Sequence, residues 1–209
     1  MMDYVIGVDI GSQSVKAVLF SVEGKYIAET SEEYSIDYPH PLWAEQPVER
    51  WTNALVLAVR HLVQSTQTRP ASIRALALAT QVDGVVPIDS EGTALHPAII
   101  WMDRRAGSQL QSVEKSLGSN RVFQLTGLNL DATHVAPKIR WLIENYPEMA
   151  KRARYYLLPG SYLAFFLTGE VAVDYSNASS TMLLDVRTRS WSDEMCAAFG
   201  VDAKHLAPV

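Results

Sequence analysis

A polar turn after an apolar stretch is the first place where the sequence could do chemistry. The carboxylate of Asp9 ends the stretch, and Gly11 would allow another group to approach the backbone closely. Amides that converge in such a turn can bind an anion, and a carboxylate beside a phosphate implies a cation between them, most simply Mg²⁺ held through water. The residues that follow Asp9 are Gly11, Ser12, Gln13, Ser14 and Lys16. An ordinary polar hairpin explains the same residues equally well.

Two further groups of polar residues follow apolar stretches. Gln81, Val82 and Asp83 come after one of them, and Asp103 and Arg104 come after another. A carboxylate can accept hydrogen bonds from two adjacent hydroxyl groups. The alternatives are a solvated turn carboxylate for Asp83 and an exposed ion pair for Asp103 and Arg104.

Predicted strands and helices would place these residues at strand ends. The opening is predicted as two successive hairpins, with no helix directly after the glycine turn, where the Rossmann and Walker folds both have one. Gln46-Pro47 is predicted to begin an amphipathic helix with proline at an early position. Predicted strands cover residues 4–10, 15–20, 25–33, 73–79, 85–88, 98–101 and 155–158, and predicted helices cover 105–117, 136–145 and 160–168, with a last helix capped by Ser192 and ended by Gly200.

Composition narrows the class of protein. The chain has 209 residues, of which 48% are hydrophobic and 20% charged, and this balance is typical of a globular domain. A net charge of −5 argues against nucleic acid as a partner, and the single cysteine, Cys196, excludes an internal disulfide framework. No histidine has a neighbour that suggests a transition-metal site. Since no apolar run is long enough for a membrane span, we expect a cytoplasmic protein with no membrane partner.

Several segments in register resemble the FGGY carbohydrate kinases of the actin, hexokinase and Hsp70 superfamily. VIGVDIGSQSVK (5–16) resembles the family's opening phosphate motif, and YPHPLWAEQ (38–46) resembles the segment that xylulokinases carry before their first helix. WMDRR (101–105) is similar to the family's stretch after a strand, and KIRWLIEN (138–145) to the back half of its first signature. Residues 168–170, 174–179, 185 and 191–193 keep the family's order, so the resemblance covers essentially the whole chain.

The resemblance implies an α/β, RNase H-like domain with a mixed sheet and flanking helices. Residues 1–209 would be the N-terminal domain, and a C-terminal domain absent from this chain would supply the general-base aspartate beyond residue 209 and most of the adenosine pocket. The chain alone would then be inactive. The resemblance assigns MgATP phosphates to Gly11, Ser12, Gln13, Ser14 and Lys16, water-mediated Mg²⁺ to Asp9, and a sugar to Gln81, Val82, Asp83, Asp103 and Arg104.

The implied activity is ATP-dependent phosphorylation of a pentulose such as xylulose, and a homodimer of the longer protein is an accompanying expectation. Xylulokinases usually have histidine at the position of Asp83, whereas glycerol kinases have an acidic residue, so a kinase for glycerol, ribulose or a sugar alcohol is the first alternative. A non-catalytic nucleotide- or sugar-binding module is the second. Thr133 and Val135 depart from the family's signature, and Lys138 is left open between a structural and a phosphate-facing role.

Overall fold

The computed structural model describes residues 3–209 and divides into two compact units. The first unit comprises the chain up to Ile36 together with Pro47–Gln81. The second comprises Asp37–Gln46 together with Val82–Val209. The predicted phosphate residues therefore belong to the first unit, and Asp83, Asp103 and Arg104 belong to the second.

The described residues form strands, α-helices and two single turns of 3₁₀-helix. The strands are β1 (Tyr4–Ile10), β2 (Ser14–Ser21), β3 (Tyr26–Glu33), β4 (Glu45–Gln46), β5 (Ile73–Thr80), β6 (Val86–Ile88), β7 (Ala98–Ile99), β8 (Tyr155–Leu157), β9 (Leu184–Asp185) and β10 (Ser190–Trp191). The α-helices are α1 (Val48–Ser65), α2 (Gly107–Ser116), α3 (Ser119–Thr126), α4 (Val135–Asn145), α5 (Pro147–Arg152), α6 (Pro159–Thr168), α7 (Tyr175–Ser180) and α8 (Asp193–Phe199). The 3₁₀ turns are Pro70–Ser72 and Ala203–His205.

The first unit is a mixed sheet with the strand order β3-β2-β1-β5. β1 pairs with β2 and β2 with β3 in antiparallel fashion, whereas β1 and β5 are parallel. The two opening hairpins predicted from the sequence are confirmed. Because β5 runs parallel to β1, the carboxyl ends of these two strands lie at the same edge of the sheet.

One face of this sheet packs against α1. Alternate residues of β1, including Ile6, Val8 and Ile10, are buried on that face, as the period of a strand requires. The helix buries the apolar stripe that its spacing predicts: Trp51, Leu55, Ala58 and Leu62. The helix begins at Val48, so Pro47 is its N-cap residue and lies just before the helix, where the sequence predicted it to be within the first turn. The opposite face carries Asp9 and Lys16.

The second unit contains short antiparallel strand pairs and the remaining helices. β4 pairs with β7, β6 with β8, and β9 with β10. The predicted strand at 98–101 is too long, because the chain turns after Ile99 and the amide of Asp103 donates to the carbonyl of Ile100 at 3.1 Å. The helices α3, α5 and α7 were not predicted, since six to eight residues show too little of the 3.6-residue period.

Capping residues fix the helix ends of the second unit. Ser192 accepts from the amide of Met195 and Gly200 has φ of +66°, so the predicted cap and stop of α8 are confirmed. Asp174 caps α7 by accepting from the amide of Asn177 at 2.9 Å. Among the residues that the structure describes, none of the helices has the length and apolar character that crossing a membrane requires.

Candidate functional site

The turn between β1 and β2 is closed by hydrogen bonds that occupy its carbonyl groups. The amide of Gly11 donates to the carbonyl of Ser14 at 2.9 Å, and the amide of Tyr34 donates to the carbonyl of Gln13 at 2.9 Å. The hydroxyl of Tyr34 donates to the carbonyl of Gly11, with an oxygen–oxygen distance of 2.6 Å, and lies 3.3 Å from that of Ser14. The carbonyls of Gly11, Gln13 and Ser14 and the amide of Gly11 are thus used within the protein, and any remaining amides that converge in such a turn could bind an anion.

Gly11 has room for a larger side chain in the first unit itself. A β-carbon there would lie 3.6 Å from the carbonyl oxygen of Ser14, which is an ordinary van der Waals distance, and the residue does not have positive φ. The fold of the hairpin therefore does not require glycine. A close approach by a ligand would require it, because a methyl group on Gly11 would occupy space next to the backbone.

Asp9 is exposed at the carboxyl end of β1, in register with Lys16 on β2. The ammonium group of Lys16 lies 3.5 Å from Glu29, and no basic side chain forms a salt bridge with Asp9 in residues 3–209. Burial, together with the nearby charge of Asp9, raises the pKa of Tyr34 well above its usual value. Tyr34 therefore stays protonated as the hydrogen-bond donor to the turn.

The surroundings of Asp9 fit one particular kind of metal binding. Within the described residues, no group of three or more His, Cys, Asp or Glu side chains is arranged to hold a metal ion. Mg²⁺ usually keeps several waters and needs only one or two protein carboxylates when substrate phosphates complete its coordination. A single exposed carboxylate beside a polar turn suits that mode, and it does not suit a cage made of protein ligands.

Lys138 organises the polar segments of the second unit. Its ammonium group donates to the carbonyls of Asp83 at 2.5 Å, Thr133 at 2.6 Å and Ile100 at 2.9 Å. The side chain is wholly buried, and burial lowers its pKa to about 7 although the charges of Asp103 and Asp83 oppose the shift. We call these four groups the carbonyl clasp. It answers the question left open by the sequence, because Lys138 is a structural residue that ties three loops together.

Asp83 lies in one of the three loops and has an unusual backbone conformation. Its φ is +54°, a left-handed conformation that is uncommon outside glycine but accessible to Asp and Asn. Gly84 follows because packing leaves no space there: a β-carbon would lie 2.8 Å from Cγ of Pro159, the first residue of α6. The Val-Asp-Gly sequence is therefore a constrained corner and not a loosely solvated turn.

Asp103 and Arg104 are neighbours in sequence but have different environments. Asp103 is wholly buried, and its carboxylate accepts from the amides of Ala44 and Arg105 and from the guanidinium of Arg105 at 2.7–2.9 Å. Arg104 instead pairs with Asp131 at 3.1 Å, and both side chains are about half exposed. The ion pair considered between Asp103 and Arg104 does not form. Of the two, Arg104 is the one that a ligand could reach without breaking a buried network.

Gln81 and Val82 lie at the boundary between the two units. The amide of Gln81 donates to the carbonyl of Ile10 at 2.8 Å, which continues the β1–β5 pairing of the first unit, and its side chain is buried. Val82 begins the second unit with 47% of its surface exposed. A sugar contact by either residue stays a prediction.

The sequence reasoning missed His134, which the structure places beside Asp83. Its Nδ1 atom lies 3.8 Å from Oδ2 of Asp83, and the side chains are 14% and 16% exposed. Nearby, Asp131 accepts hydrogen bonds from the amide and the hydroxyl of Thr133, both at 2.8 Å. Burial raises the pKa of Asp131, but these hydrogen bonds and the charge of Arg104 outweigh that effect, so the pKa is lowered overall. His134 looks isolated along the chain, and only the signature departures at its neighbours Thr133 and Val135 drew attention to this loop.

The structure is a mixed α/β domain with an exposed carboxylate beside a polar hairpin turn, and comparison with known proteins identifies its family. A family model described as the FGGY family of carbohydrate kinases, N-terminal domain, matches residues 4–209. The chain belongs to this family. The fold class predicted from the sequence is thereby confirmed, because the matching structures have the same fold.

Individual relatives show how far the similarity extends. The chain is 37% identical to a xylulose kinase of Klebsiella pneumoniae, over 92% of this chain and 39% of the relative. It is 31% identical to a glycerol kinase of Thermococcus gammatolerans, over 96% of this chain and 41% of the relative. A crystal structure of a xyloylose kinase from Brucella ovis superimposes with a TM-score of 0.91 at 29% identity, covering 99% of this chain and 42% of that one. The chain thus spans about two fifths of the length of these relatives.

Proposed function

We propose that this chain is the phosphate-binding and sugar-facing part of an ATP-dependent carbohydrate kinase that phosphorylates a hydroxyl group of a pentulose such as xylulose. The observation that carries the proposal is the exposed Asp9 next to a turn in which the carbonyls of Gly11, Gln13 and Ser14 are already hydrogen-bonded. The family membership and the named xylulose kinases among the relatives support it.

In this proposal the residues of the chain bind and orient the nucleotide phosphates and the sugar, because catalysis of phosphoryl transfer consists mainly of positioning and charge stabilisation. Asp9 would hold Mg²⁺ through water, and amides of the turn would donate to phosphate oxygens. Mg²⁺, when bound, neutralises charge on the β- and γ-phosphates. Asp83 orients the sugar hydroxyl, whose oxygen forms the new bond to phosphorus as the bond to ADP breaks. The hydroxyl proton passes to a base that we assign to none of the 209 residues.

Asp103 is assigned a supporting role within the same proposal. Its buried carboxylate fixes Arg105 and the amide of Ala44, so it shapes the loop that presents Arg104. We also propose that the chain by itself has negligible turnover. Activity assays with ATP and a panel of sugars test this statement, and robust transfer by the 209-residue chain would contradict it.

A kinase for another polyol is the second candidate, and a specific observation favours it. Asp83 places a carboxylate where a xylulose-specific enzyme is expected to have histidine, and glycerol kinases are among the relatives at 30–31% identity. Glycerol, D-ribulose and xylitol therefore belong in the same assay panel as D-xylulose. The ratio of kcat/KM values in the longer protein would decide between the two candidates.

The phosphate part of the proposal can be tested on the chain itself by titrating ¹⁵N-labelled protein with MgATP. We expect amide signals of Gly11, Gln13 and Ser14 to shift and affinity to fall in Asp9→Asn, which keeps the size of the side chain but removes its charge. Glu91→Gln, at an exposed turn, is the control for a general change of charge. The proposal fails if MgATP leaves the hairpin signals unchanged. Micromolar binding by the chain alone would favour a dedicated binding module, since half of a site should bind more weakly.

A further inference from the structure

Two buried polar atoms on neighbouring side chains of the second unit have no hydrogen-bond partner. They are Oδ1 of Asp83 and Nδ1 of His134, both shielded from solvent in residues 3–209. The nearest approach of the two groups, 3.8 Å from Nδ1 to Oδ2, is too long for a hydrogen bond. Buried polar groups in folded proteins are nearly always paired, so an unpaired carboxylate oxygen beside an unpaired imidazole nitrogen calls for an explanation.

The backbone around this pair is fixed, which explains why the two side chains do not close the gap. Asp83 has φ of +54° and its carbonyl is held by Lys138, while Gly84 is packed against Pro159. His134 immediately precedes α4 and follows Thr133, whose carbonyl is held by the same ammonium group. Strain and unpaired groups that the surroundings enforce are concentrated at ligand-binding sites. The pair is therefore pre-organised for something other than a direct salt bridge.

The chemistry of the pair matches a hydroxyl group. A carboxylate oxygen only accepts, and an imidazole nitrogen that carries its proton donates, so one hydroxyl can donate to Asp83 and accept from His134 at the same time. The hydroxyl would satisfy both unpaired atoms. A ligand without it would leave them buried and unpaired, which is how protein sites reject analogues that lack a polar group.

We propose that Asp83 and His134 together bind one hydroxyl group of the sugar or polyol and so determine which polyols this chain accepts. The inference rests on the proposed function and deepens it, because it assigns selectivity to a pair of residues where the sequence pointed to Asp83 alone. It also accounts for the acidic residue at position 83, since an acceptor there is complemented by a donor from a different loop.

The test is the affinity of the ¹⁵N-labelled chain for D-xylulose, D-ribulose and glycerol, measured by titration. We expect Asp83→Asn, which tolerates the left-handed backbone, to weaken binding of the preferred polyol about 10- to 100-fold because a charge-assisted hydrogen bond is lost. His134→Phe should weaken it about 5- to 10-fold, and His134→Asn, with an amide near the position of Nδ1, should recover most of the loss. The double variant should lose less than the product of the single losses, because the two residues share one hydroxyl.

A control and a direct signal keep the test decisive. His61→Phe removes an exposed histidine of α1 and should leave polyol affinity unchanged. In the unmodified chain, the ring ¹⁵N signal of His134 should shift when the polyol is added, which needs no variant to fold. Unchanged affinity in His134→Phe, or a silent His134 ring signal at saturating polyol, would overturn the inference. If MgATP shifts the hairpin amides but no polyol binds, this inference fails and the phosphate part of the proposed function stands.

Discussion

Replacing Lys138 by methionine should destabilise the protein by several kcal/mol, because it removes the donor on which three loops depend. Methionine has a similar length and an unbranched shape, so the volume of the buried side chain is roughly kept. The carbonyl of Ile100 would still accept from the amide of Asp103 at 3.1 Å. The carbonyls of Asp83 and Thr133 would lose the ammonium group that now lies 2.5 and 2.6 Å away.

The size of the effect follows from the two carbonyls that lose their donor. Each buried acceptor left without a donor costs about 1–3 kcal/mol, which gives roughly 2–6 kcal/mol for the pair. Part of this cost is offset, because the variant no longer buries a lysine that is charged in water and must lose its proton or its hydration in the folded chain. We therefore expect a net loss of about 2–4 kcal/mol in the free energy of unfolding at pH 8.

Urea unfolding followed by circular dichroism and by tryptophan fluorescence would measure this loss. The urea midpoint should fall in Lys138→Met, while the slope of the unfolding free energy against urea concentration (the m-value) stays unchanged. Coinciding transitions from the two probes would show that the chain unfolds in one step. Lys115→Met is the matched control, since Lys115 is exposed on α2 and should change stability by less than about 0.5 kcal/mol. If Lys138→Met were as stable as the unmodified chain, the carbonyl clasp would not stabilise the fold and this reasoning would be refuted.

Three further predictions concern the clasp and the glycines. Burial lowers the pKa of Lys138 to about 7 from the ordinary value of 10.5, so the unfolded chain binds more protons than the folded chain between these pH values. The stability advantage of the unmodified chain over Lys138→Met should therefore rise with pH in that range, by up to about 1.4 kcal/mol per pH unit. A difference in unfolding free energy that stayed constant with pH in urea titrations would contradict this. Gly11→Ala should keep the urea midpoint but weaken MgATP binding, whereas an equal loss of both would make Gly11 a purely structural residue. Gly84→Ala should lower the thermal midpoint because of Pro159, and Gly7→Ala, with no atom within 4 Å of its β-carbon, should not.

Local patterns account for what the sequence predicted well. Strand alternation and a proline before a long amphipathic stripe identify the β1–β2–β3 hairpins and α1, because neither depends on distant residues. The hydroxyl-bearing cap before α8 and the glycine after it are equally local signals. The turn between β1 and β2 was predicted for the same reason, because its residues lie within one short segment, whereas phosphate binding by that turn stays a prediction.

Tertiary contacts decided what the sequence could not predict. Asp103, Arg104 and Arg105 are consecutive, and nothing in their order shows that Asp103 turns inward to the amide of Ala44 while Arg104 pairs with Asp131. The side chain of Arg105 is 1% exposed, and its guanidinium carbon lies 3.7 Å from the ring centre of Trp43, which is distant in sequence. Such contacts depend on packing between segments that are far apart in the chain. A sequence motif can therefore locate the region, but it cannot distinguish a residue that contacts a ligand from one that holds the surrounding loop in place.

The clasp links these observations into one argument about selectivity. A single ammonium group holds the carbonyls of Asp83 and Thr133, so it ties the loop after β5 to the loop before α4. Asp83 and His134 are thus carried by backbone segments that share one buried donor. Asp83 and His134 should therefore be interpreted together: under our proposal the acidic residue need not indicate glycerol, because His134 would supply, from a neighbouring loop, the imidazole that xylulose kinases are expected to carry at position 83.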